Sequence, residues 1–160
     1  MILVVLGTQD KRFERLIKMV DEAVQKQWIK EEVIVQAGCT SYVSDKMKIF
    51  DLIDMTSFEQ YMKECRILIT HGGVGTIMSA LRCKKPVIAC ARLAKYGEHH
   101  NDHQCEIIET FSDKGYLIQV KDNQTLEEAL KKAENFVVPE VVSNNEKMIR
   151  LLMDYLEISE

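Results

Sequence analysis

Short apolar runs alternate with amphipathic helical stretches along the chain, and that alternation leaves few folds open. Ile2–Leu6 is an unbroken apolar run closed by Gly7, as expected of a strand buried on both faces. Phe13, Leu16, Ile17, Val20, Val24 and Trp28 then recur at three- and four-residue steps, which predicts a helix packed on the sheet. Glu32–Ala37 reads as a second strand closed by Gly38, and Lys46–Phe50 as a shorter third. A short helix over Phe58–Cys65 leads into a strand over Arg66–Thr70. His71–Gly75 turns the chain into a helix from about Thr76 to Cys83, which Lys85-Pro86 stops. Strand Val87–Ala91, a long polar loop, a helix from about Asp102 to Phe111 and strand Tyr116–Val120 follow. A helix then runs from Thr125 to about Asn135, with Thr125 and Glu128 at capping-box spacing. After Pro139 a C-terminal helix over about 141–157 is expected, with Met148, Leu151, Leu152 and Tyr155 on one apolar face that needs covering. The class is α/β with a mainly parallel, doubly wound sheet, whose ligand belongs at the carboxyl ends of the strands.

The 160 residues fit a single domain, 1–160, with no internal repeat or linker. A hydrophobic share of 46% against 29% charged excludes wholesale disorder. The formal charge of −4 argues against a partner bound through broad phosphate neutralisation, so no nucleic acid is expected. Five cysteines, none in CxxC spacing, read as reduced thiols of a cytoplasmic protein. The apolar start reads as a strand, since no basic segment precedes it and no cleavage-site pattern follows it.

Three loops fall at the strand ends: Gly7-Thr8-Gln9, His71 to Thr76, and Tyr96 to Gln104. In the second, Gly72, Gly73 and Gly75 let the backbone come close to a ligand. The helix that follows points unpaired amides and its positive dipole end there, with the Thr76 hydroxyl as one more donor. A diphosphate fits that arrangement; a tight turn with no ligand is the plain alternative. Neither a Walker motif nor a GxGxxG fingerprint is present. The third loop gathers Glu98, His99, His100, Asp102, His103 and Gln104. One reading is a metal site, from the i, i+4 spacing of His99 and His103 with Asp102 as a third ligand, although the HExxH arrangement is missing. Another is a polar cluster that hydrogen-bonds sugar hydroxyls, and a third is a solvated loop in which Asp102 caps the helix.

Taken together, Ile67-Leu68-Ile69-Thr70-His71-Gly72-Gly73-Val74-Gly75-Thr76, then Lys85-Pro86-Val87-Ile88, then Asp102-His103-Gln104 resemble the family 28 C-terminal domain of GT-B glycosyltransferases. Lys95 to His99 and Asn101 to Gln104 look most like the single-domain PssE-like subunits of exopolysaccharide synthesis, and the chain is also similar to the catalytic subunit of the dolichol-linked N-acetylglucosamine transferase. The resemblance implies a Rossmann-like domain that binds a UDP-sugar, with Gly7, Thr8 and Gln9 at the cleft near phosphate or acceptor. It places Met55 at the uracil, His71 to Thr76 on the diphosphate, and His103 with Gln104 on the donor sugar. Many family members carry a glutamate for the ribose hydroxyls where this chain has Ser79, which implies a weaker or water-mediated contact. An inverting transfer of a hexose, galactose foremost, to a lipid-linked acceptor in exopolysaccharide or capsule synthesis follows, with no metal or other cofactor. The implied partner is a membrane-anchored subunit supplying the N-terminal GT-B half. It would recruit the chain to the cytoplasmic face of the membrane and commonly provide the general base, for which His99 or His100 is this chain's own candidate. Three competitors stay open: a self-sufficient homodimeric transferase, a non-catalytic nucleotide-binding module, and a metal-dependent hydrolase using His99 and His103.

Overall fold

The computed structural model describes residues 1–141, so the helix expected over about 141–157 and its apolar face fall outside the described residues. Six parallel strands form one sheet: β1 (Ile2–Val5), β2 (Val33–Gln36), β3 (Lys48–Phe50), β4 (Ile67–Thr70), β5 (Val87–Ala89) and β6 (Ile118–Gln119). Their order is β3-β2-β1-β4-β5-β6, which makes this a doubly wound α/β fold. Four α-helices connect them, α1 (Glu14–Gln25), α2 (Met55–Glu64), α3 (Val74–Arg82) and α4 (His103–Asp113), and α5 (Leu126–Glu134) follows the last strand. The strand-side alternation sorts the core into two layers. Ile2, Val4 and Leu6 face α1 and α5, whereas Leu3 and Val5 face a cluster built from α2, α3 and α4. All four residues of β1 are buried, which is why its sequence shows no polar alternation.

Several boundaries differ from the sequence expectation, each for a local reason. α1 ends at Gln25 although the apolar spacing continues to Trp28, because Gln27 adopts φ +61° and the Trp28 amide donates back to the Ala23 carbonyl at 2.9 Å. This is a Schellman closure with glutamine where glycine is usual. α2 starts at Met55, not Phe58, because Asp54 Oδ1 accepts from the Ser57 amide at 3.0 Å and caps it. The capping box expected at Thr125 is not formed, since its side chain makes no cap hydrogen bond.

Strand order reverses between β1 and β4, and loops that leave neighbouring strands there diverge to opposite faces and open a crevice. In register, Val5 pairs with Thr70 and Thr70 with Ala89, so the strands run out together into Leu6-Gly7, His71-Gly72 and Cys90-Ala91 at the carboxyl edge. The three loops singled out in the sequence therefore leave the sheet at one place. Among the described residues no helix is long and apolar enough to cross a membrane, and the five cysteines form no disulfide.

Candidate functional site

His71 forms the floor of the crevice. It is 7% exposed, and its Nδ1 lies 3.3 Å from the Val5 carbonyl, the geometry of an Nδ1–H donor to that oxygen. Glycine is required on both sides of the ring. A Cβ on Gly7 would sit 2.7 Å from the imidazole and one on Gly73 2.9 Å from it, and Gly7 also has φ +83°. Gly73→Ala would therefore act first by displacing His71. Burial pushes the His71 pKa down to about 4, with the Arg92 charge acting in the same direction, so the ring is neutral at pH 7. The sign of the linkage follows. Between the ordinary imidazole pKa near 6.5 and about 4, the unfolded chain binds a proton that the folded chain refuses. Stability is expected to fall by about 3 kcal/mol as pH drops through that window and to level off below it. Denaturation of the chain and of His71→Asn across that range measures this. Parallel curves for the two proteins would refute the assignment.

Beyond His71 the chain enters α3, whose first intrahelical bond from this turn runs from the Ile77 amide to the Gly73 carbonyl at 3.0 Å. The Val74, Gly75 and Thr76 amides thus carry no partner within the helix and point out of its amino terminus with the positive end of the dipole. A Cβ added to Gly75 would meet no atom within 4 Å, so this first turn is open on the Gly75 side. Gly72, at φ +97°, faces inward onto Ile108 of α4 and sets the helix spacing. Ser79, one turn on, donates its hydroxyl to the Gly75 carbonyl at 3.0 Å, which leaves its oxygen lone pairs as acceptors. It lines a hollow of about 260 Å³ between α2 and α3 together with Met55, Phe58, Met62, Arg82 and Cys83. The Met55 side chain is 72% exposed.

The third loop divides into an inner and an outer part. Glu98, grouped above with the sugar-facing residues, is 5% exposed and turned inward. Arg15 grips both its oxygens, Nε to Oε1 at 3.1 Å and Nη2 to Oε2 at 2.8 Å, and the Leu93 amide adds a bond at 2.9 Å. Asp102 does not cap α4. Its Oδ1 accepts from the Ala94 amide at 2.9 Å and closes the short helical turn Ala94–Tyr96, while Asn101 Oδ1 takes the His103 amide at 3.2 Å. On the outer part His99 is half-buried. Its Nδ1 lies 3.1 Å from the Asn101 carbonyl and 3.3 Å from the Asn101 amide, and its Nε2 lies 3.3 Å from the exposed Gln9 side-chain amide nitrogen. Thr8 and Gln9 are exposed beside it. His103 is exposed near Glu106, 3.7 Å away. Gln104 packs beside Gly72, and its Oε1 is buried with no hydrogen-bond partner. Among the described residues no group of three or more His, Cys, Asp and Glu side chains converges in a way that would hold a metal.

Sequence reasoning missed the two arginines that hold this edge together. Arg92, 1% exposed, reaches across from β5 to the Leu6 and Lys11 carbonyls, and Arg15 lies between the rings of Phe13 and Tyr96 at 5.3 and 5.2 Å. The only signal was a cation directly after an apolar strand run. A larger hollow, about 420 Å³, lies elsewhere, at the amino-terminal end of the sheet around Trp28, Glu31, Arg66 and Lys131. Its charged rim includes internal pairs, Arg66 with Glu31 and Lys131 with Glu127, and it lies away from the strand ends where ligands of such sheets bind, so the carboxyl edge is the better candidate.

The model of the glycosyltransferase family 28 C-terminal domain matches residues 1–148. Among similar solved structures, the glycotransferase of kitacinnamycin superposes with TM-score 0.62 at 13% identity, over 84% of this chain and 34% of that one. The NMR structure of ALG13 gives TM-score 0.56 at 20% identity over 94% of both chains. Methanocaldococcus jannaschii UDP-GlcNAc 2-epimerase, solved with UDP-GlcNAc and UDP, gives 0.57 at 19% identity over 95% and 44%. At these identities the likeness is one of fold, and the chain spans about a third of the length of the first of them. A comparison with curated protein sequences found no relative.

Proposed function

The chain belongs to the family of glycosyltransferase family 28 C-terminal domains, and from that premise we propose that it is the donor-binding catalytic subunit of a two-part inverting glycosyltransferase. The observation that carries this reading is the row of amides at Val74, Gly75 and Thr76 without intrahelical partners, in a turn open at Gly75 where strand order reverses. A UDP-sugar diphosphate placed there meets aligned donors and a helix dipole, and the neutral His71 below leaves its Nδ1–H committed to Val5. The hollow between α2 and α3 receives the nucleoside, with uracil toward Met55 and a ribose hydroxyl donating to Ser79. The donor hexose, galactose foremost, reaches His103 and the unpartnered Gln104 Oε1, which accepts from a sugar hydroxyl. Gly7, Thr8 and Gln9 face the acceptor side, Glu98 holds the loop from within, and Asp102 ties it at the surface.

The acceptor hydroxyl attacks the anomeric carbon on the face opposite the diphosphate. A new carbon–oxygen bond forms as the bond to the diphosphate breaks, and the electron pair leaves on UDP. Fixed amides stabilise that charge with no reorganisation during the step, and we assign no metal to it. The hydroxyl proton goes to a base, either His99 Nε2 once Gln9 releases it, or a residue of the partner half. A membrane-anchored partner carrying the N-terminal half and the lipid-linked acceptor completes the enzyme at the cytoplasmic face, in exopolysaccharide or capsule synthesis. That division is supported by the match to a C-terminal domain and by the coextensive fit to ALG13. Incubated alone with UDP-galactose and lipid-linked acceptor, the purified chain should transfer little, and membranes bearing the partner should restore transfer. Robust transfer by the chain alone would contradict the two-part reading.

A further inference from the structure

Arg92 is the largest fully buried side chain among the described residues. All its hydrogen bonds go to neutral backbone carbonyls: Leu6 at 2.6 Å, Lys11 at 2.7 Å and Glu98 at 3.3 Å. Its guanidinium lies 4.9 Å from the Phe13 ring, and its Nε–H is buried with no partner. Among the described residues it forms no ion pair, because the adjacent Glu98 carboxylate is taken by Arg15. Arg15 also lies 3.8 Å from Asp122, which it shares with Lys95, so Arg15, Arg92 and Lys95 face two carboxylates, Glu98 and Asp122, and one positive charge stays uncompensated in this cluster. Glu98 attracts Arg92 without pairing with it, and Asp10 does so from an exposed loop, where solvent screens it. A cation out of water with only neutral acceptors carries a large desolvation cost, and burial accordingly pulls Arg92 below the usual guanidinium range. Leu6, whose carbonyl Arg92 Nη2 takes, precedes Gly7, and a Cβ on Gly7 would sit 2.7 Å from the His71 ring, so the charge lies close beneath the crevice.

We propose that Arg92 is a built-in counter-charge for the nucleoside diphosphate, a buried cation that latches the loops after β1 and β5 and stabilises the anion above it without touching it. The inference rests on the donor site proposed above. A charge acting through a low-dielectric interior discriminates UDP from uridine, whereas a latch alone would weaken both by a similar factor. Arg92 is thus a positioning residue with an electrostatic reach, and the ratio of the two affinities separates these roles.

The test titrates UDP and uridine into the full chain and into Arg92→Met, Arg92→Lys and Glu98→Gln by NMR chemical shifts, with melting curves as a check on folding. Arg92→Met is expected to lower the UDP-to-uridine preference about tenfold, and Arg92→Lys to keep it within about threefold. Glu98→Gln, which leaves a second positive charge uncompensated, is expected to raise it. If Arg92→Met does not fold, the other two variants decide, Arg92→Lys keeping the preference and Glu98→Gln raising it. Unmoved preference in Arg92→Met, or in Glu98→Gln when the former is unfolded, reduces Arg92 to a latch and overturns the proposal while UDP binding stands. A parent chain that does not bind UDP overturns the donor site and this inference together.

Discussion

Gly72→Ala is expected to destabilise the protein by about 3 kcal/mol, a large fraction of the stability of a domain this size. Two independent effects converge there. Gly72 has φ +97°, a conformation that L side chains rarely adopt, and an added Cβ would lie 2.3 Å from Ile108 Cδ1 and 2.7 Å from its Cγ1. Ile108 is fully buried in the layer formed by α2, α3 and α4, so it has no solvent to retreat into. The clash pushes α4 away from the β4 loop and carries His103 and Gln104 with it. Urea denaturation measures the loss, and a midpoint unchanged from the parent would show that this turn tolerates a side chain.

Gly75→Leu, three residues on, should do the opposite to the fold and the worse to function. Gly75 sits in the first turn of α3, and a Cβ there would meet nothing within 4 Å. Leucine in place of glycine favours the helix by up to about 1 kcal/mol, so folding is retained or improved. The added side chain fills the open side of that turn, beside the Val74, Gly75 and Thr76 amides, and UDP affinity should fall more than about tenfold. A stable variant with parental UDP affinity would remove this helix terminus from the site. The contrast matters because the two glycines belong to one motif, and only their surroundings separate a packing role from a recognition role.

That separation marks how far the sequence could be read. Apolar runs such as Ile2–Leu6 and Ile67–Thr70 declare buried parallel strands, because a strand covered on both faces has no polar side to show. The turn at His71 to Thr76 declares its helix terminus through its glycines. What stayed hidden depends on partners distant in the chain. Glu98 sits in a polar loop and reads as solvent-facing, yet Arg15 from α1 draws it inside. Arg92 reaches carbonyls of Leu6 and Lys11 that nothing in local spacing connects to it. Asp102 matches a helix cap in sequence, but the Ala94 amide offers its carboxylate a better-placed donor. The end of α1 was misplaced because Gln27 supplies a left-handed residue where propensity favours glycine.

The central claim is that a nucleotide diphosphate lies on the amino terminus of α3 at the reversal between β1 and β4. Amide chemical shifts of the isotopically labelled chain during a UDP titration test it most directly. The largest shifts should fall on Val74, Gly75 and Thr76, with smaller ones at Gly7, Ser79 and Gln104. Shifts centred instead on Trp28, Glu31 and Arg66, around the larger hollow at the opposite end of the sheet, would contradict it.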